Sequence, residues 1–307
     1  MASYVAATRG SRLALAQAHA VISDLKDAVP GTACRELVVR TGGDADRRPL
    51  FLMDRRGIFS KEVDGAVLDG RADFAVHSMK DLPTDVHPDL CIACVPRRED
   101  ACDVLVTGDG SDLGSLREGA VVGTSSLRRA VQISRARPDV VVRPVRGNVE
   151  TRISRVPGEY DAVVLAAAGI RRLGLEVPHS RLPEEGFVPS PGQGALALVS
   201  REGSPASAAL AAIEDRGARR EAEAERAFSA AIGSGCRFPV GARATSSGGR
   251  ISIRAEAFSA DGSERVSASA SGDDPAAAGR AAAGEMLGRG AARLALNWRQ
   301  KLEEWNA

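Results

Sequence analysis

Aromatic residues make up only 4% of this 307-residue chain, so its cores must be built from alanine, valine, leucine and isoleucine. No apolar run approaches the length of a membrane-spanning helix, so no membrane partner is expected. The opening "MASYVAATRGSRLALAQ" lacks a charged leader followed by an apolar stretch, which points to a cytoplasmic protein. Surplus charge is missing too: 41 Lys and Arg face 40 Asp and Glu, a net charge of +1. That balance argues against a nucleic-acid partner. A Gly-x-x-x-x-Gly-Lys-Ser/Thr loop is absent, and no glycine-rich dinucleotide fingerprint follows a strand. Neither a Ser-His-Asp nor a Cys-His-Asn set is evident, which makes peptidase chemistry unattractive. The five cysteines, Cys34, Cys91, Cys94, Cys102 and Cys236, are an odd number in a large chain and read as reduced thiols. Cys91 and Cys94 lie in an apolar stretch and no second Cys/His pair has finger-like spacing. Buried thiols are therefore favoured over a metal site, and no metal is expected.

What is present is a regular alternation. A chain of this length suggests two or three domains, and 44% hydrophobic residues can fill their cores. Through about residue 200, short apolar strands alternate with amphipathic helices. "SYVAAT", "CRELVVRT", "DFAVHS", "GAVVGT", "DVVVRPV" and "YDAVVLA" read as strands. "SRLALAQAHAVISDLKDAV", capped by Ser11, and "IFSKEVDGAVLDG" read as helices. Such βα alternation implies an α/β fold with mixed, parallel-rich sheets. The extended segments "VPRREDACDVLV" and "GFVPSPGQGALALV" bracket the middle block, as two crossings between two lobes would. After about residue 217 the pattern changes. A charged helix "ARREAEAERAFSAAI" precedes the strands "VGARATS", "RISIRAEAF" and "ERVSASAS". One last helix, "PAAAGRAAAGEMLGRGAARLALNW", follows, giving a small C-terminal α+β domain. The expected domains are 1–97 with 196–216, then 98–195, then 217–307.

Arginine greatly outnumbers lysine, and its placement is unusual. In "ATRGSRLALAQ", Arg9 precedes Ser11 at a helix start. In "VGTSSLRRAVQI", Arg128 and Arg129 occupy the first turn of a helix capped by Thr124, Ser125 or Ser126. In "VRGNVETRIS", Arg146 precedes a helix capped by Asn148, with Arg152 one turn in. Cations at helix N-termini are disfavoured by a few tenths to about 1 kcal/mol each. Repetition of the pattern at the carboxyl ends of strands points to bound anions, against the plainer reading of solvated surface arginines. Arg171 and Arg172 in "AGIRRLGL" add to the pattern near a fourth strand–helix junction. Arginines on several separate loops suit an extended ligand with several carboxylates.

"DFAVHSMKDLPTD" sets His77, Lys80 and Asp81 at or just past the end of an apolar strand. A carboxylate there can stabilise a developing cation or simply close a loop. His77 reads as a structural hydrogen-bonder. Cys236, in "AAIGSGCRFPVGARA", is flanked by Gly233 and Gly235 and adjoins Arg237, a setting that favours thiolate. It reads either as a hinge thiol or as a point of covalent attachment.

Taken in order, "ATRGSRLALAQ", "GIFSKEVDGAVLDGRADFAVHSMKDLPT", "VGTSSLRRAVQI", "RPDVVVRPVRGNVETRI", "YDAVVLAAAGIRRLGL", "PSPGQGALAL" and "GSGCRFPVGA" closely resemble the hydroxymethylbilane synthase (porphobilinogen deaminase) family over almost the whole chain. The resemblance implies two lobes like those of periplasmic binding proteins plus a C-terminal domain. It also implies a transferase of tetrapyrrole and heme biosynthesis. Such enzymes deaminate four porphobilinogen molecules and join them head to tail on a dipyrromethane cofactor, releasing hydroxymethylbilane and ammonia. By the same resemblance, Cys236 holds that cofactor through a thioether, with Lys80, Asp81, Ser126, Arg128, Arg129 and Arg146 around it. Arg9, Ser11, Arg146, Arg152, Arg172 and Gln193 would engage porphobilinogen or the growing oligopyrrole chain. Asp81 would be the main catalytic group, facing the positive charge that develops on pyrrole nitrogen, a contribution of several kcal/mol in a water-poor cleft. A monomer is expected. One departure is visible in "LFLMDRRGIFSKE", where Arg55 and Arg56 stand in a loop that commonly carries a lysine-rich, Gly-Gly-Lys-Gly-like stretch. The rival readings are a non-enzymatic polyanion sensor on the same two-lobed scaffold and a zinc–thiol protein built on Cys91, Cys94 and Cys102.

Overall fold

The computed structural model describes residues 2–42, 60–233, 239–296 and 298. Cys236 and the pair Arg55 and Arg56 lie outside the described residues. In chain order the elements begin β1 (Ser3–Arg9), α1 (Arg12–Ala28), β2 (Ala33–Val39), α2 (Lys61–Leu68), β3 (Phe74–Ser78) and β4 (Leu90–Cys94). They continue β5 (Asp103–Thr107), β6 (Val121–Gly123), α3 (Leu127–Ala136), β7 (Val141–Arg143), α4 (Val149–Ile153), β8 (Ala162–Ala166), α5 (Ala167–Arg172) and β9 (His179–Leu182). The remainder is β10 (Leu196–Arg201), α6 (Pro205–Leu210), α7 (Arg216–Ile232), β11 (Val240–Ser247), β12 (Arg250–Phe258), β13 (Arg265–Gly272), α8 (Pro275–Gly288) and α9 (Ala291–Leu296). No helix among the described residues is long and apolar enough to cross a membrane.

The chain divides into two compact units, residues 1–99 with 192–222 and residues 100–191 with 223–307. The first is built on a five-stranded sheet of order β2-β1-β3-β10-β4. β1 runs parallel to β2 and β3, whereas β10 is antiparallel to both β3 and β4. Alternation along β3 serves two cores. Phe74 and Val76 meet the apolar stripe Ala18, Val21, Ile22 and Leu25 of α1, while Ala75 packs with Val63, Ala66 and Val67 of α2. Small side chains fill both layers, as the scarcity of aromatics requires.

The second unit holds another five-stranded sheet, of order β7-β6-β8-β5-β9. β6 is parallel to β7 and β8, and β5 is antiparallel to β8 and β9. The two sheets thus share one plan, three parallel strands followed by an antiparallel one and an edge strand. The α/β, parallel-rich class expected from the sequence is what the chain adopts. The same unit contains the antiparallel sheet β11-β12-β13. One face of that sheet is closed by alanines of α8 together with Ala224 and Phe228 of α7. The Ala/Ser-rich stretch from about 267 to 283 is therefore folded, as strand and helix. The expected single final helix is not found: the chain breaks after Gly288, and Gly290 takes φ +92, a left-handed value that stops α8 before α9 begins.

Candidate active site

In the first unit the functional residues gather at the carboxyl end of the parallel strands. Arg9 is the last residue of β1, half-buried, and Ser11 caps α1 by accepting from Ala14 N at 3.3 Å. Parallel pairing of β1 with β3 brings this end of β1 to the end that carries Ser78. Gln17 of α1 donates through Nε2 to Ser78 Oγ at 3.0 Å, fastening helix to strand. A 3-10 turn, Met79–Asp81, follows at once. Met79 enters the core beside Ala75, and the tight turn leaves Lys80 and Asp81 exposed.

That turn is braced from a distant part of the chain. Lys80 Nζ donates to Gln193 Oε1 at 3.4 Å, and Gln193 is only 1% exposed. Gly192 has φ +74, and a Cβ there would stand 2.9 Å from Lys80 N and 3.0 Å from Met79 C. Only glycine permits so close a passage of one backbone over another. The carbonyl of Gln193 accepts from Arg98 Nε at 3.0 Å and Nη2 at 2.8 Å, while Arg98 Nη1 pairs with Glu221 at 3.1 Å. The first unit therefore brings Lys80, Asp81 and Gln193 together, with Arg9 and Ser11 at the same sheet end.

In the second unit Ser126 is the cap of α3, chosen from the three candidates, and accepts from Arg129 N at 3.5 Å. Asn148 caps α4, accepting from Thr151 N at 2.8 Å and from Thr151 Oγ1 at 2.6 Å. Arg128 and Arg129 turn inward. Arg128 donates from Nη2 to Asp103 Oδ2 at 2.7 Å and from Nη1 to Val188 O at 2.7 Å. Arg129 donates from Nη2 to Asp103 Oδ1 at 2.7 Å and from Nη1 to Val164 O at 3.2 Å. Asp103 is 1% exposed. The anion at this helix end is thus partly the chain's own, a carboxylate that the arginine argument did not include. Arg128 Nε is buried with no hydrogen-bond partner. Burial pulls the Arg128 pKa down, Asp103 pushes it back up and Arg129 lowers it again.

Arg146 precedes α4, and Arg152 donates from Nε to Gly147 O at 2.8 Å. Burial, with Arg129 and Arg146 close by, lowers the Arg152 pKa to about 10. The charges of Arg129 and Arg146 are therefore near enough to be felt by Arg152. Arg171 and Arg172 stand differently from expectation. They form the last turn of α5, where the helix dipole favours cations, and Arg171 pairs with Asp100 at 3.3 Å. Arg172 is half-buried there, and its place alone no longer signals an anion.

Among the described residues, the thiols give no comparable site. Burial raises the Cys34 pKa to about 11 and lifts Cys91 and Cys94 as well. Cys102 rises to about 12, through burial and through the carboxylate of Asp100, to which its Sγ donates at 3.0 Å. Asp100, Cys102 and Glu184 offer ligand atoms within 4.8 Å of one another, but Asp100 already carries Arg181 at 2.6 Å and Arg171. Two guanidiniums there oppose a cation. Sequence reasoning missed Asp103, Arg98 and Gln17. The only hint for Asp103 was an acid opening the otherwise apolar run "DVLV".

Residues 5–209 match the family model "Porphobilinogen deaminase, dipyromethane cofactor binding domain", and residues 219–288 match "Porphobilinogen deaminase, C-terminal domain". The chain is 51% identical to a probable porphobilinogen deaminase of Nitrosopumilus maritimus, covering 99% of each. It is 45% identical to a porphobilinogen deaminase of Rubrobacter xylanophilus, covering 94% of this chain and 95% of that one. Among solved structures, the BenM effector-binding domain with benzoate aligns at a TM-score of 0.41 and 13% identity, covering 69% of this chain and 90% of that one.

Proposed function

Since the chain belongs to the porphobilinogen deaminase family, we propose that its two arginine- and aspartate-bearing sheet ends divide the work of holding a growing polycarboxylate and stabilising its cations. The reaction is the deamination of four porphobilinogen molecules and their head-to-tail joining into hydroxymethylbilane, one ammonia leaving for each unit. It makes the chain a transferase of tetrapyrrole and heme biosynthesis. The cofactor is dipyrromethane, named in the family model that covers residues 5–209. When bound, dipyrromethane supplies a held primer with a free α-carbon to which the first substrate is joined.

The residues suit such a group. Its acetates and propionates need buried or crowded cations. Arg128 Nε lacks a hydrogen-bond partner, and the charges of Arg129 and Arg146 help to lower the pKa of the buried Arg152, so a ligand carboxylate at this end would be favoured. That effect of two arginine charges on Arg152 is the observation that carries the reading. Arg128, Arg129, Arg146, Ser126 and Lys80 would hold cofactor carboxylates, and Cys236 would anchor the group through sulfur. Arg9, Ser11, Arg152, Arg172 and Gln193 would receive porphobilinogen or the lengthening chain. Asp81, on its rigid turn beside Lys80, would stand against the positive charge that arises on pyrrole nitrogen as ammonia leaves and as the new bond forms. Lys80, the neighbour of Asp81 in that turn, is held by Gln193. The domains 1–97 with 196–216, 98–195 and 217–307 would carry the aspartate, the anion site and the tether in turn. A cytoplasmic monomer acting on porphobilinogen, without nucleic acid, completes the reading.

Intact-protein mass spectrometry tests the tether. The purified enzyme should exceed its sequence mass by one dipyrromethane, and Cys236→Ala should remove that excess together with activity. An active protein of unmodified mass would sink the assignment.

A further inference from the structure

Beneath the Lys80–Asp81 turn lies a polar pair that no role assigned above uses. His77 Nε2 donates to Asp64 Oδ1 at 2.8 Å, and the two side chains are 6% and 14% exposed. His77 stands on the same face of β3 as Ala75, and Asp64 lies on α2 next to Val63 and one turn before Val67. Every one of those neighbours belongs to an apolar core. The cost of burying such a pair in these surroundings is seldom recovered in stability, and apolar residues of similar volume usually do as well or better. Fold stability therefore does not account for it.

Position does. His77 is the last fully buried residue of β3, two residues before the turn and four before Asp81. Ser78 is held to α1 through Gln17, and Met79 and Lys80 are covered by Gly192. The hydrogen bond to Asp64 fixes the strand end against α2 with a direction that apolar packing cannot supply. We infer that His77 and Asp64 are a positioning pair for the known reaction, setting the angle at which the Met79–Asp81 turn presents Asp81 to its substrate. The inference rests on the proposed role of Asp81. It concerns no contact with substrate, so neither residue is a catalytic group.

The test uses full-length enzyme carrying its cofactor, with three variants. The double variant His77→Leu, Asp64→Leu should melt at or above the wild-type temperature, because a buried polar pair is replaced by packing. Its KM for porphobilinogen should stay within about twofold while kcat falls at least about tenfold, the sensitivity expected of a displaced reacting group. Asp64→Asn, which keeps a hydrogen-bonding shape, should lie between wild type and the double variant in kcat. Asp81→Asn is the reference and should lose nearly all turnover. Wild-type kcat in both pair variants, with Asp81→Asn inactive, overturns the inference alone. Wild-type kcat in Asp81→Asn overturns the role of Asp81 and the inference with it. A fall in kcat matched by a lower melting temperature and a raised KM marks a structural pair and also refutes positioning. If the double variant does not fold, kcat and KM of Asp64→Asn decide.

Discussion

Gly192 has no room for a side chain, and that single fact joins two stretches 113 residues apart. Its backbone passes over Met79 and Lys80 with φ +74, and a methyl group would meet Met79 Cγ at 2.8 Å and Lys80 N at 2.9 Å. Gly192→Ala adds a left-handed strain to a clash with main chain, and should cost about 2–4 kcal/mol, read from urea midpoints. Turnover should fall further than stability alone explains, because Lys80 is the residue displaced. Unchanged midpoint and turnover would refute the bracing role. At this scale the sequence was partly legible. Ser11 and Asn148 announce themselves as caps, and Ser126 as one of three candidates, because a cap acts within three residues of itself. Arg128 and Arg129 did not disclose Asp103, since a pair separated by more than twenty residues is made by the sheet and not by local pattern. For the same reason Gln193 could be named as a site residue only from resemblance, and its bond to Lys80 only from coordinates.

Elements were read well where periodicity was strong. The strands of both five-stranded sheets that lie in apolar runs were legible, as were α1 and α7. The helix α6 and the strand β9 were not, being short and weakly patterned. The break between α8 and α9 turns on Gly288 and Gly290, which the alanine-rich run around them disguised. The β12–β13 hairpin offers a test of local chemistry. Asp261 accepts from Ser259 Oγ at 2.6 Å, from Ser263 N at 3.1 Å and from Ser263 Oγ at 2.9 Å, and these bonds lower its pKa to about 2. A carboxyl depressed on folding contributes stability above its unfolded pKa near 3.8 and loses that contribution as pH falls toward 2. The shift alone would amount to about 2.5 kcal/mol. Exposure of Asp261 to solvent screening reduces that to about 1 kcal/mol. Asp261→Asn should therefore be less stable by that amount at neutral pH, with the gap closing between pH 4 and pH 2 in denaturant titrations. A constant gap across that window would contradict the hydrogen-bond account.

For the molecule as a whole, the proposed anion site predicts that stability rises when an anion is bound. On the proposed tether, protein made as Cys236→Ala would lack the covalent group and should unfold at a temperature lower by about 5 °C. Added polyphosphate should restore part of that loss, and sodium chloride of equal ionic strength should restore less. An identical melting temperature with and without cofactor would show that the repulsion around Arg152 is not felt by the fold. The plan of the two large sheets carries a separate consequence. All five strands of β7-β6-β8-β5-β9 come from one continuous stretch, residues 103–182, whereas β4 in the other sheet pairs only with β10, which begins at Leu196. On the ribosome, the later-encoded sheet can close while the earlier one still waits for its partner strand. The order in which the two sheets can be completed is thus the reverse of the order in which they begin, and the amino-terminal sheet keeps an open edge until β10 has been made.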